Sequence, residues 1–299
     1  MNLLELRGLS RADVEGWLEA ARAVRGGDPA TLRRKHVGRR VALLFFEAST
    51  RTRFSFEAAA QGLGADVLAF SAAASSTTKG ESMLDTARLL VAVGAEVLVV
   101  RDTAVGAPRH LADRLGVAVI NAGDGTHEHP TQGLLDALTL VDALGPLDGK
   151  VVAIVGDIRH SRVARSALAA LTALGATVRL CGPAPLLPAG LAGSKVVLAA
   201  TIDEAIAGAD AVMMLRIQRE RASGPTFSSV EAYRRGWALT EARAATLPPH
   251  TVVLHPAPMN RGVEIDDVVA DGPRSRILDQ QRNGVWVRMA ALDRAWRAT

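Results

Sequence analysis

VALLFFEASTRTRFSFEA, residues 41–58, begins as an apolar run, turns abruptly polar, and resumes apolar character at helical spacing. Val41 to Phe46 reads as a strand, Ser49 to Thr52 as a tight turn, and Phe54 with Ala58 as one face of a helix. A strand apolar at every position is buried on both faces, which is how a parallel sheet covered by helices looks. The same rhythm recurs in strands at Asp66 to Phe70, Val97 to Val100 and Val117 to Asn121. Ser82 followed by Asp85 reads as a capping box, and Pro130 suits the first turn of a helix through Leu134 and Leu138. After a breaker-rich turn at residues 144–150, a second series begins with a strand at Val151 to Val155 and a helix at Arg162 to Leu174. Strands at Thr177 to Cys181, Ala211 to Leu215 and Val252 to Leu254 follow. The fold class is therefore α/β, with two domains, 1–145 and 146–299, each a mostly parallel sheet flanked by helices. Val285, Met289, Leu292 and Trp296 recur at helical spacing, so a C-terminal amphipathic helix, about residues 279–298, needs an apolar surface on either domain.

Length and composition agree with two globular domains. At roughly 150 residues per domain, 299 residues suffice for two cores, and 48% hydrophobic residues exclude long disorder. A net charge of +4 is too small a surplus to imply nucleic-acid binding, and only 4% aromatic residues give little to stack bases on. The single cysteine, Cys181, excludes an internal disulfide and a multi-cysteine metal site and fits a reducing compartment. The N-terminal segment breaks its apolar residues with Glu5, Arg7, Arg11 and Asp13, and no apolar run approaches the roughly 18 residues that cross a bilayer. A cytoplasmic protein without membrane association is expected.

Polar residues stand where several strands end: Glu47, Ser49 and Arg51 after Phe46, Arg101 after Val100, Arg216 after Leu215, and His255 after Leu254. Ligands of open α/β sheets bind outside the carboxyl ends of strands, so these positions can converge on one cleft, although any single exit is unremarkable. In residues 49–52 three hydroxyls and an arginine crowd the start of a helix, a composition suited to an anion. The competing reading is an ordinary cap by Ser49 with surface arginines. No GxxxxGK[ST] pattern is present, so this is not a nucleotide P-loop. In GDGTHEHPTQ, residues 123–132, His129 and Gln132 can both point at a ligand, the imidazole as a donor to a developing oxyanion. His127 with His129 as metal ligands is disfavoured, because HExxH spacing is absent; no metal is expected. Lys79 in SSTTKGES, residues 75–82, reads alone as a solvated charge or as part of a closing loop. GDIRHSR, residues 156–162, lacks the GxGxxG fingerprint and offers arginines for a carboxylate instead, as does MMLRIQRER, residues 213–221, through Arg216 and Gln218.

FFEASTRTRFSFE, SSTTKGES, HEHPTQ, GDIRHSR, MMLRIQRER and LHPAPMNRG together resemble the catalytic chains of the aspartate carbamoyltransferases, along nearly the whole chain. STRTR and HPTQ are shared with the wider carbamoyltransferases; ornithine enzymes carry HCLP where this chain has His255, Pro256, Ala257 and Pro258. The resemblance implies an active site in the cleft between the domains and transfer of a carbamoyl group from carbamoyl phosphate to L-aspartate, an early step of pyrimidine biosynthesis, without a cofactor or a covalent enzyme intermediate. It assigns Ser49, Thr50, Arg51, Thr52 and Arg101 to phosphate, and Thr52, Arg101 and His129 to the carbonyl oxygen as the catalytic group. Gln132 and the backbone of Ala257 and Pro258 would hold the carbamoyl NH2, and Lys79, Arg162, Arg216 and Gln218 would bind aspartate. It also implies a cyclic homotrimer in which Ser75 and Lys79 enter a neighbouring subunit's site and a C-terminal helix returning to the first domain, and leaves open whether a regulatory chain or dihydroorotase joins it.

Overall fold

The structure, a computed structural model, describes residues 1–71, 81–217 and 229–297. The chain divides into two compact units, Met1–Leu6 with Glu15–Leu134 and Arg282–Thr299, and Arg7–Val14 with Leu135–Gln281.

In the first unit α1 (Arg11–Arg25, shared with the second unit) and α2 (Pro29–Leu32) lead into β1 (Arg40–Phe45). Then come α3 (Thr50–Gly62), β2 (Asp66–Ser71), α4 (Met83–Ala92), β3 (Val97–Asp102), α5 (Ala107–Ala112), β4 (Ala118–Asp124) and α6 (Pro130–Leu144, in the second unit from Leu135 on). The four strands are parallel in the order β2-β1-β3-β4. Ala42, Leu44, Leu98, Val100 and Val119 form one core layer with Ala87 of α4 and Leu111 of α5, while Val41, Leu43, Val97 and Val99 are buried on the opposite face. Burial on both faces explains the unbroken apolar runs. The capping box at α4 is present: Ser82 Oγ accepts from the Asp85 amide at 3.1 Å and donates to the Asp85 carboxylate at 2.7 Å.

The second unit contains β5 (Val151–Val155), α7 (Arg162–Ala173), β6 (Thr177–Cys181), β7 (Val196–Leu198), α8 (Ile202–Ile206) and β8 (Ala211–Met214). It continues with α9 (Val230–Trp237), α10 (Glu241–Ala245), β9 (Val252–Leu254) and α11 (Asp267–Ala270). Its five strands are parallel in the order β7-β6-β5-β8-β9. Gly182 is required where these strands end, because a Cβ there would lie 2.2 Å from the Gly156 carbonyl oxygen. Cys181 is buried, and its thiol is pushed up to about 12 by that burial and by Glu204, so it stays protonated near neutral pH.

The contact units divide at Leu134/Leu135, inside α6. The turn at 144–150 marks where a helix stops, whereas the packing partner changes earlier along that continuous helix. The last helix, α12 (Ile277–Arg297), contributes residues from Arg282 onward to the first unit. There the Arg288 guanidinium lies over the Phe56 ring, that of Arg294 lies over Trp17, and Trp296 stacks at 4.6 Å on His36.

Asp293 ties α12 down. Its carboxylate lies 2.8 Å from His36 Nε2, 2.9 Å from Lys35 Nζ and 2.8 Å from the Arg297 guanidinium. Burial alone would raise its pKa, but hydrogen bonds from His36 and Lys35 and the charges of Lys35 and Arg297 hold it well below the usual carboxylate range. A carboxylate depressed on folding stabilises the native state above its unfolded pKa of about 3.9 and loses that contribution as pH falls through the folded value. Asp293→Asn should therefore lower Tm at pH 7 and flatten the decline of Tm below about pH 4. Because Lys35 and Arg297 reach solvent, the cost is about 1–3 kcal/mol, between exposed and buried pairs. Thermal unfolding of both proteins across pH checks this, and a parallel decline in the two would contradict it.

Candidate functional site

The strand order creates one topological switch point in each sheet. In the first, β1 is followed by a crossover to β2 on one side, and the chain then returns past it to β3, leaving a crevice at the carboxyl ends of β1 and β3. Ser49 to Thr52 start α3 directly beyond β1, and Arg101 lies within β3, opposite Phe45 of β1. The β3–β4 register shifts between Val100 and Asp102, an irregularity of the kind that re-aims a side chain at a sheet's edge. Arg101 Nη1 donates to the Ala122 carbonyl and Nη2 to Glu47 Oε1, both at 3.1 Å. The side chains of this ion pair are only 11% and 17% exposed.

Ser49 occupies the N-cap position of α3 yet makes no side-chain cap hydrogen bond. By contrast Ser82, Ser161, Thr201, Ser229 and Thr240 each accept an amide of the helix they precede. The hydroxyl of Ser49 is thus left for something other than the helix, beside the positive end of the helix dipole. Ser49→Ala should cost the fold little, whereas Ser82→Ala, which deletes a formed cap, should cost about 1 kcal/mol. Equal losses in denaturant unfolding would show that Ser49 acts as a cap after all.

Thr52 is buried, with Oγ1 3.5 Å from His129 Nε2; Thr50 and Arg51 are exposed and Ser49 half-buried. His129 immediately precedes α6, and Gln132 lies in its first turn, both buried. A polar scaffold fixes the segment that delivers His129. Asp124 accepts from the Gly106 and Glu128 amides and from Asn121 Nδ2. Asn121 Oδ1 accepts from the Gly123 amide, and Glu128 Oε2 from the Leu6 amide. His127 faces Asp124 and Glu5. Glu5, His127 and Glu128 place one possible ligand atom each within 4.8 Å of one another, but Glu5 is also paired with Arg109.

The second switch point lies between β5 and β8. Gly156, at φ 132°, passes so close to β8 that a Cβ would sit 2.8 Å from the Leu215 carbonyl oxygen. The following loop is fixed by Asp157, which accepts the His160 amide and contacts its imidazole. Ser161 caps α7, and buried Arg162 is the first residue of that helix. Half-buried Arg216 leaves the end of β8, so the two guanidinium-bearing residues flank this switch point. Ala257 and Pro258 follow β9, half-buried and exposed respectively. Ser75, Lys79 and Gln218 lie outside the described residues.

Family models match the chain in two blocks. Residues 1–142 match the aspartate/ornithine carbamoyltransferase carbamoyl-P binding domain, and residues 148–294 the Asp/Orn binding domain of the same family. The chain belongs to the aspartate/ornithine carbamoyltransferase family. It is 57% identical over 256 residues to an aspartate carbamoyltransferase catalytic subunit of Anaeromyxobacter sp. (strain Fw109-5), covering 85% of this chain and 81% of that one. To the aspartate carbamoyltransferase catalytic subunit of Sorangium cellulosum (strain So ce56) it is 52% identical over 297 residues, 97% of this chain and 91% of the other. Among solved structures, aspartate transcarbamoylase from Trypanosoma cruzi in complex with carbamoyl aspartate and phosphate superimposes with a TM-score of 0.87 at 31% identity, covering 98% and 95% of the two chains. No helix among the described residues is long and apolar enough to cross a membrane.

Proposed function

We propose that this protein transfers the carbamoyl group of carbamoyl phosphate to the amine of L-aspartate, giving N-carbamoyl-L-aspartate and phosphate, a step of pyrimidine biosynthesis. The observation that carries this reading is an anion-suited cluster at the switch point of one sheet and arginines at that of the other, in a chain whose relatives bear that activity in their names. Ser49, Thr50, Arg51, Thr52 and Arg101 take the phosphate through hydroxyls, helix amides and guanidinium groups. The amine attacks the carbamoyl carbon, and negative charge grows on its oxygen. Thr52, Arg101 and His129 donate to that oxygen, and one such donor is worth about 3–4 kcal/mol in the transition state. Gln132 and the carbonyls of Ala257 and Pro258 accept from the carbamoyl NH2, which a proline can do because its C=O is intact. The departing phosphate accepts the amine proton, so no side-chain base is invoked. Arg162, Arg216, Gln218 and Lys79 receive the two carboxylates of aspartate. Ser75 and Lys79 are assigned to a neighbouring copy in a cyclic homotrimer working in the cytoplasm.

Purified protein supplied with carbamoyl phosphate and either L-aspartate or L-ornithine tests the acceptor. Carbamoyl aspartate is the expected product, and faster reaction of ornithine would overturn the assignment. Arg216→Ala should raise KM for aspartate about 10- to 100-fold, the loss of charge-assisted hydrogen bonds, with KM for carbamoyl phosphate little changed. Unchanged aspartate saturation would remove Arg216 from the site.

A further inference from the structure

Beyond β9 the chain enters His255, whose side chain is wholly buried and whose hydrogen bonds are directional. The Ala257 amide donates to His255 Nδ1 at 2.9 Å. A ring nitrogen that accepts an amide proton carries none itself, so the neutral imidazole has its proton on Nε2, which lies 3.2 Å from Glu264 Oε1. Glu264 is equally buried, and the same oxygen accepts the Asn260 amide at 2.5 Å. The His255 amide in turn donates to Gln280 Oε1 at 2.9 Å, and Gln280 Nε2 donates to Asp136 at 2.7 Å. The Ala257 and Pro258 carbonyls therefore lie on a short segment whose flanking amides, at 257 and 260, are both held by one histidine–glutamate pair. Ala257 adopts φ 54°, a left-handed conformation that side-chain-bearing residues rarely keep unless their surroundings impose it.

A buried carboxylate is a costly way to shape a loop. Glu264 Oε2 has no hydrogen-bond partner among the described residues, while Oε1 accepts from the neutral His255 imidazole. Apolar packing would hold the segment without that desolvation penalty, but it would not select an imidazole tautomer.

We propose that His255 and Glu264 are positioning residues: Glu264 fixes the Nε2–H form of His255, whose Nδ1 holds the Ala257 amide and so presents the Ala257 and Pro258 carbonyls to the carbamoyl NH2. This rests on the carbamoyl-transfer reading above and assigns it two residues that do not touch substrate. Misplacing the acceptor carbonyls by about 1 Å costs turnover on the order of 100-fold without touching the groups that bind aspartate.

Two substitutions separate the ring nitrogens. In His255→Asn the amide oxygen stands near the Nδ1 position and keeps an acceptor for Ala257; in His255→Gln the amide nitrogen stands near Nε2 and keeps the donor to Glu264 while the Ala257 acceptor is lost. Turnover of His255→Gln should fall about 30- to 100-fold with KM for aspartate changed less than about twofold, whereas His255→Asn should stay within about fivefold of wild type. Variants equally slow, or both at the wild-type rate, would overturn the proposal. Nitrogen-15 NMR of histidine-labelled wild type supplies a readout independent of variant folding: an unprotonated Nδ1 at His255 is expected, and a protonated Nδ1 would overturn the clamp. Wild type that forms no carbamoyl aspartate would defeat the reaction itself, an outcome distinct from an active wild type whose two variants are equally impaired.

Discussion

His129→Ala is expected to lower kcat by two to three orders of magnitude, roughly the loss of one oxyanion donor, while KM for carbamoyl phosphate moves less than about threefold. His129 is 4% exposed and sits on a segment pinned by Asn121, Asp124 and Glu128, so its imidazole is held in place before any reaction. The ground-state carbamoyl oxygen carries little charge, and full negative charge appears only after the amine has attacked. A donor aimed at that charge binds the transition state more strongly than the substrate, which is why the loss belongs in kcat. Steady-state kinetics with each substrate varied in turn decides the point. Equal losses in binding and turnover would make His129 a simple ligand contact.

Arg101→Ala should be more damaging still, with kcat/KM for carbamoyl phosphate falling by about 1,000-fold or more. Two effects add. On the proposed reading the guanidinium is lost as a donor to both phosphate and carbonyl oxygen, and the largely buried Glu47 carboxylate loses the counter-charge of Arg101. Arg101→Lys should recover only part, because an ammonium cannot serve Ala122, Glu47 and a substrate in the fixed fork that a guanidinium provides. If the lost counter-charge matters, Glu47→Gln combined with Arg101→Ala should bind carbamoyl phosphate better than Arg101→Ala alone. A double variant no better than the single one would show that the missing donor accounts for everything.

Much of this arrangement was legible from residue pattern, because buried parallel strands leave unbroken apolar runs and helix starts have their own chemistry. Ser82 with Asp85, Pro130 at the head of α6 and Arg162 at the head of α7 stand where the sequence places them. Strand ends were harder. Apolar character stops at Val100 and near Asn121, yet pairing runs on to Asp102 and Asp124, since a ladder of backbone hydrogen bonds does not require apolar side chains. Arg101 is consequently part of β3 and not a residue of the loop after it. The edge strand Val196–Leu198 was missed; three residues with one side chain largely exposed carry too little pattern to distinguish them from a loop. The pairings of Glu47 with Arg101 and of His255 with Glu264 join residues 54 and 9 positions apart. Only the register of the sheet or the path of a loop brings such partners together, and local periodicity carries no trace of either.

Because the opening between β5 and β8 is made by the route of the main chain, it persists through exchange of the side chains at its rim so long as Gly156 keeps its close approach to β8. Exchange of the arginine after β8, together with its immediate neighbours, can re-aim this lobe toward an acceptor of different charge while every strand keeps its partner. Divergence of specificity on such a framework is then a matter of rewriting rims, leaving the interior to drift under its own, separate constraints of volume and shape.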